Sequence, residues 1–224
     1  MQDSVFVRLQ LLPLFQGISK EELLRMLERA KFNFVTVDAG EVVVKQGTEA
    51  TQLVYMLSGN YRVTREYSAN FAVEEHLTAP MLFQPECLFG HQAVWTHTLV
   101  ATTESQLLYI SKQDLILHLM DFLTFRIALL NYLSHAIEAS PIVHLEAVPT
   151  SVLTSRIIAF FKRYTLVHKG KKVYSLKMQY LATHLSTSRL SISKSLNFLQ
   201  ENGVLKLGRQ KIIVDDFQKV IDFG

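Results

Sequence analysis

The stretch from Lys177 to Leu205, KMQYLATHLSTSRLSISKSLNFLQENGVL, spells two short helices separated by a polar turn. Leu181, Ala182 and Leu185 give the first helix an apolar face one turn long, and Ala182 suits a close helix crossing. The second helix carries Ile192, Leu196 and Leu199, spaced i, i+4, i+7, which is one buried stripe of a 3.6-residue period. Between them lies Ser186-Thr187-Ser188, where a hydroxyl can cap the incoming helix. Arg189 follows the cap, and Ser193, Lys194 and Asn197 project away from the stripe. That layout is expected of a helix-turn-helix whose second helix enters a DNA major groove. The competing reading is an ordinary αα-hairpin with Arg189 and Lys194 merely solvated.

Charge distribution favours the nucleic-acid reading. The net charge of +3 hides an asymmetry: residues 1–140 hold 10 Lys/Arg against 15 Asp/Glu, and residues 141–224 hold 13 against 5. A basic block that contains the candidate motif is the electrostatic footprint of a nucleic-acid-binding module.

The 224 residues suffice for two modest domains. Hydrophobic residues make up 49%, and the mean hydropathy is +0.17. No apolar run approaches the roughly 18 residues of a membrane span, so these side chains belong to cores or subunit interfaces. The opening MQDSVFVRLQLLPLF lacks a basic segment followed by a long apolar one, which points to a cytoplasmic protein with no membrane partner. Cys87 is the single cysteine, which excludes an internal disulfide and a cysteine-only zinc site. It reads as a small buried hydrophobe.

Upstream, Ser19 with Glu22 three residues on forms a capping box before Leu23, Leu24 and Leu27. From about Phe34 to Ile110, short β-rich runs (TVDAGEVVVKQG, QLVYMLSGNYRVTREY, FAVEEHLT, TTESQLLYIS) break at Gly40, Gly47, Gly59 and Pro80. They predict an antiparallel β-roll of jelly-roll type, with turn glycines at positive φ. From Lys112 to about Ala139 no Gly or Pro occurs, and Met120, Leu123, Ile127, Leu130 and Ile137 keep a heptad-like seam. Phe122, Phe125, Leu129 and Leu133 widen that apolar surface. One face would pack on the roll and the other on a second copy of the chain, giving a homodimer. A proline-bounded linker follows, then a helix over about Ser151–Tyr164, a strand VYSL, the helix pair, and VLKLGRQKIIVDD as two β-runs meeting at Gly208-Arg209. That last hairpin would be a wing with Arg209 and Lys211 near its tip. The expected organisation is therefore α+β: a β-roll sensor (1–111), a long dimerisation helix (112–140), a linker (141–150) and a winged helix-turn-helix domain (151–224).

These features together resemble the bacterial transcription-factor family of the cyclic-AMP receptor protein and the fumarate–nitrate regulator. The resemblance spans nearly the whole chain, from PLFQGISKEEL through GEVVVKQGTEATQLVYMLSGNYRV to the helix pair. Its most specific part is LATHLSTSRLSISKSLNFLQENGVL, similar to the family pattern LAxxLGxSRxxxSRxLxxLxxxGxI. Ser188-Arg189 and Ser193-Lys194 stand at its two Ser-Arg pairs. The resemblance implies a cyclic-nucleotide-binding-like roll and a homodimeric regulator of double-stranded operator DNA. Activation, as opposed to repression, would also require contact with RNA polymerase.

By that resemblance, with the wing added, the DNA-contacting residues would be Thr187, Ser188, Arg189, Leu190, Ser193, Lys194, Asn197, Arg209 and Lys211. Arg189 is suited to bidentate bonding of a guanine edge, whereas Lys194 offers a point charge. Leu190 stands where readers of the best-known operator carry a glutamate, so the preferred half-site should differ. Ser186 replaces the usual turn glycine.

The effector segment departs further. In LFGHQAVWTHTLVATT, Gly90 remains, His91 replaces the cassette's glutamate, and no arginine appears between Arg65 and Arg126. A buried phosphate there would lack its counter-charge, so cyclic AMP is not expected to bind in the family's manner. Phe89, Gly90, His91, Trp95 and His97 would line an effector pocket, if one exists, and Trp95 could equally fill the core. The alternatives are a haem- or small-ligand-sensing regulator using His91 and His97, or a cupin-like β-roll enzyme. Neither has a third metal ligand at recognisable spacing, and no nucleophile elbow, P-loop or dinucleotide fingerprint occurs. The expectation is a non-enzyme without cofactor or metal.

Overall fold

The computed structural model describes residue 7, residues 9–138 and residues 153–223. They fall into two compact units, Met1–Tyr61 with Thr78–Ala139, and Arg62–Leu77 with Ser140–Gly224. The expected linker, 141–150, lies outside the described residues.

In the first unit, α1 (Lys20–Arg29) opens as its capping box predicts: Ser19 Oγ accepts the Glu22 N–H at 3.2 Å. Leu23 and Met26 form its buried face. The strands that follow along the chain are β1 (Phe32–Val37), β2 (Val42–Val44), β3 (Gln52–Ser58), β4 (Asn60–Ser68), β5 (Phe71–Thr78), β6 (Met81–Phe83), β7 (Thr98–Ala101) and β8 (Ser105–Ser111), with most of β4 and β5 belonging to the second unit. A four-stranded antiparallel sheet runs β1-β8-β3-β6, with Phe32 opposite Ile110 and Tyr55 opposite both Leu108 and Leu82. The break expected at Gly59 falls between β3 and β4. Gly59 has φ +101, and a Cβ there would stand 2.0 Å from Ser105 Oγ, so only glycine fits the turn. Strands β6 and β7 are absent from the sequence reading because three or four residues hold too little period to recognise.

The helix expected over 112–140 is interrupted. A turn of α-helix (Lys112–Asp114) passes into a π-helical turn (Leu115–Leu119), and α2 (Leu123–Glu138) starts afresh. The reason lies in phase. Leu119 and Phe125 are six residues apart, which on a straight helix would place them about 240° apart at roughly 100° per residue. The break at 120–122 rotates the chain so that Leu115, Leu119, Phe125 and Leu129 are all buried. Phe125 then packs its ring 5.4 Å from that of Phe15.

The second unit contains α3 (Leu153–Arg163), β9 (Lys172–Leu176), α4 (Met178–His184), α5 (Arg189–Glu201), β10 (Lys206–Gly208), β11 (Lys211–Val214) and α6 (Gln218–Phe223). Ile157, Phe161, Tyr174, Leu181, Ile192, Leu196, Leu199 and Phe217 are central to its core. Residues 62–77, which the sequence reading places in the β-rich block, cluster with this unit. Strand β5 pairs with β9, Phe71 opposite Leu176 and Glu75 opposite Lys172, and the order continues β9-β11-β10.

This junction is sealed by a buried ion pair. Lys172 Nζ lies 2.8 Å from Glu75 Oε2, and both residues are almost wholly buried. Among the described residues no other acceptor reaches that ammonium. Glu75 also accepts the N–H groups of Leu166 (2.6 Å) and Val167 (3.1 Å). Burial lowers the Lys172 pKa below the ordinary lysine value, against the opposing pull of Glu75.

Candidate nucleic-acid interface

Helix α4 ends in a reverse turn that aims α5. The Ser186 N–H bonds to Thr183 O and the Thr187 N–H to Ala182 O, a Schellman arrangement with Ser186 as its left-handed residue at φ +47. The position wants glycine, and serine there costs about 1–2 kcal/mol. The guanidinium of Arg156, on α3, donates to Leu185 O and holds the turn from behind. Ser188 then caps α5: its Oγ accepts the Ser191 N–H at 3.0 Å.

Burial of Ile192, Leu196 and Leu199 fixes the rotation of α5. Arg189, Leu190, Lys194 and Asn197 are consequently exposed, with Ser193 half-buried beside them. Leu190 keeps 67% of its surface accessible, a high value for a leucine. Thr187 is half-buried and Ser188 exposed at the head of this face. The hairpin β10–β11 is tied to the same helix, because the Leu207 N–H donates to Gln200 Oε1 at 2.8 Å. Its two-residue turn, Arg209-Gln210, has Gln210 at φ +56, and Arg209 and Lys211 are exposed. At the hairpin base Lys206 bonds Asp215 at 2.6 Å, and this hydrogen bond lowers the Asp215 pKa.

A groove of about 340 Å³ joins these parts, lined by Arg189, Lys177, Gln179, Gly208 and Lys211 among others. Sequence reasoning did not select Lys177, Gln179 or Arg156. Nothing in their local pattern distinguishes them from solvated side chains; only the strand-to-helix corner at Lys177 brings it beside Arg189 and Lys211.

The five residues expected around an effector are not brought together in this way. Gly90 and His91 are exposed, and Phe89 is half-buried with Lys112 Nζ 5.6 Å from its ring centre. Trp95 is buried, stacked at 5.9 Å on Phe83, as the core reading of this residue has it. His97 is buried too, its Nδ1 lying 2.8 Å from Gln84 Nε2 and 2.9 Å from Thr96 Oγ1. Residues 84–101 include no lysine or arginine of their own, and Lys112 is the cation placed beside Phe89. Among the described residues there is no group of three or more His, Cys, Asp or Glu placed to hold a metal ion, and no helix long and apolar enough to cross a membrane.

Residues 34–120 match the cyclic nucleotide-binding domain family. The catabolite activator protein of Thermus thermophilus superimposes with a TM-score of 0.53 at 21% identity, over 94% of this chain and 97% of that one. The chain shares the fold of a catabolite activator protein. DNR from Pseudomonas aeruginosa aligns over 100% of this chain and 99% of its own at 23% identity and a TM-score of 0.48. A putative transcriptional regulator of the crp/fnr family from Eubacterium rectale aligns over 94% and 97% at 16% identity, also with a TM-score of 0.48. No curated protein matches the chain. The catabolite-activator-like fold agrees with the α+β architecture expected from sequence.

Proposed function

We propose that this chain is a homodimeric, sequence-specific DNA-binding transcription regulator of the Crp/Fnr type and not an enzyme. One observation carries the reading: α5 turns a polar, cationic face outward, and that face continues through a basic groove to the tip of a two-stranded wing. In this reading α4 and α5 are a winged helix-turn-helix, α5 lies in the major groove, and Arg189 reads a base edge. Lys194 and the wing residues Arg209 and Lys211 hold phosphates, while Ser188 meets the backbone. Leu190 offers an apolar surface to a thymine methyl.

Helix α2 supports the dimer. Phe125 and Leu129 face its own unit, whereas Leu123, Ile127 and Leu130 stay 59%, 48% and 54% accessible. Met120 is half-buried, and the side chain of Ile137 lies outside the described residues. Three large apolar residues at 3-4 spacing make a seam for a second copy. Two recognition helices roughly 34 Å apart would then read a near-palindromic operator.

Selection from random duplexes with the full chain tests this. A two-fold motif is expected, and Arg189→Ala should weaken it by about 1–3 kcal/mol and relax one position per half-site. Recovery of no motif, or the same motif at unchanged strength from Arg189→Ala, would count against the assignment.

A further inference from the structure

The DNA-contacting surface extends beyond α5 and the wing, and we propose that the tip of the β4–β5 hairpin, Ser68-Ala69-Asn70, seats the operator backbone beside the wing. The inference rests on the DNA-binding reading and adds a contact from a segment far away in sequence.

Register places the tip. With Phe71 opposite Leu176 and Ser175 opposite Lys211, the hairpin turn, the exit of β9 at Lys177 and the wing turn lie at one end of the same strand array. Ser68 and Asn70, both exposed, line an open groove of about 570 Å³ with Lys177, Arg209 and Lys211. Lys177, Gln210 and Lys211 also line the groove that reaches Arg189, so one track runs from the recognition helix to the hairpin tip. Along that track three cations face a single carboxylate, Glu66, among the described lining residues of the second groove. A polyanionic strand is the occupant this charge balance suits. The tip itself is small, polar and free of charge, so a phosphate oxygen can approach the hydroxyl of Ser68 and the amide of Asn70 without repulsion.

Anchoring makes the tip a fixed platform. The Glu75–Lys172 pair locks β5 to β9 at one end. Nearer the tip, Tyr67 stacks on Phe71 at 4.9 Å and meets the edge of Tyr164 at 4.8 Å, while Phe71 packs 5.3 Å from Tyr180 on α4. The hairpin thus moves with the winged unit, and its tip keeps its place relative to Arg209 and Lys211.

The test uses the full chain, the selected operator within a long duplex, and fluorescence anisotropy across a salt series. Asn70→Lys should tighten binding several-fold on operator and unrelated duplex alike and steepen the log K against log salt slope by about one. Asn70→Asp should weaken binding several-fold on both. Arg189→Ala, run in parallel, should alter base preference and so report separately on the recognition helix. Unchanged affinity and slope in both Asn70 variants, with Arg189→Ala behaving as expected, would overturn the hairpin contact alone. Tighter binding by Asn70→Asp would overturn it in favour of a tip that obstructs DNA. A parent protein that binds no duplex would remove both readings.

Discussion

Two buried polar clusters, one in each unit, are built on opposite principles. Glu75 and Lys172 in the second unit are full charges in contact, supported by two backbone N–H donors. Gln84, Thr96 and His97 in the first unit make a hydrogen-bonded group with no lysine, arginine or carboxylate among its members, and Gln84 sits in a left-handed conformation at φ +42. The difference separates two tasks. The charged cluster joins strands distant in sequence and so sets which segments surround the β10–β11 hairpin. The cluster around Gln84 joins residues close in sequence and brings no full charge of its own into the first unit.

The contrast can be broken at several points. Glu75→Ala leaves the Lys172 ammonium buried and two N–H groups unbonded, and should cost about 3–5 kcal/mol in urea unfolding. Pairing Glu75→Leu with Lys172→Met should recover most of that loss, because the desolvation of both charges disappears together. A loss below about 1 kcal/mol for Glu75→Ala would mean that this carboxylate is not tied into the core. His97→Ala removes one of two partners of Gln84 Nε2, leaves that to Thr96 Oγ1 in place, and should cost less, about 1–3 kcal/mol. If the two losses were equal, the distinction between charged and uncharged clusters would have no energetic basis. The smallest expected effect is none: cyclic AMP should leave the Tm of the full chain unmoved. A saturable rise would show that the first unit supplies a phosphate counter-ion after all.

Much of the candidate interface is legible in the order of residues. The capping serines Ser19 and Ser188 act within three residues of themselves, and the Ile192-Leu196-Leu199 stripe is a property of one helix, so local pattern suffices. Turn glycines Gly40 and Gly47 likewise have positive φ, as their residue type suggests. The expected single helix over 112–140 fails because two apolar phases overlap there, and pattern alone cannot show that the chain resets at 120–122 to bury both. The surroundings of the effector candidates are illegible for a related reason. Trp95 and His97 are two residues apart on an irregular segment, and whether such side chains line a pocket or close the core depends on Phe83 and Gln84, which approach from another part of the chain.

The hairpin at 62–77 marks the boundary most sharply. Residue order alone established a basic C-terminal block, a serine-capped amphipathic helix and a glycine-punctuated β region, since charge, capping and period act over short distances along the chain. Only the tertiary structure decided that β5 pairs with β9 about a hundred residues away and that Lys177, Arg209 and Ser68 share one track. Strand register is fixed by burying Phe71 and Tyr174 and by pairing Glu75 with Lys172, and such long-range pairing leaves no signature in either segment alone.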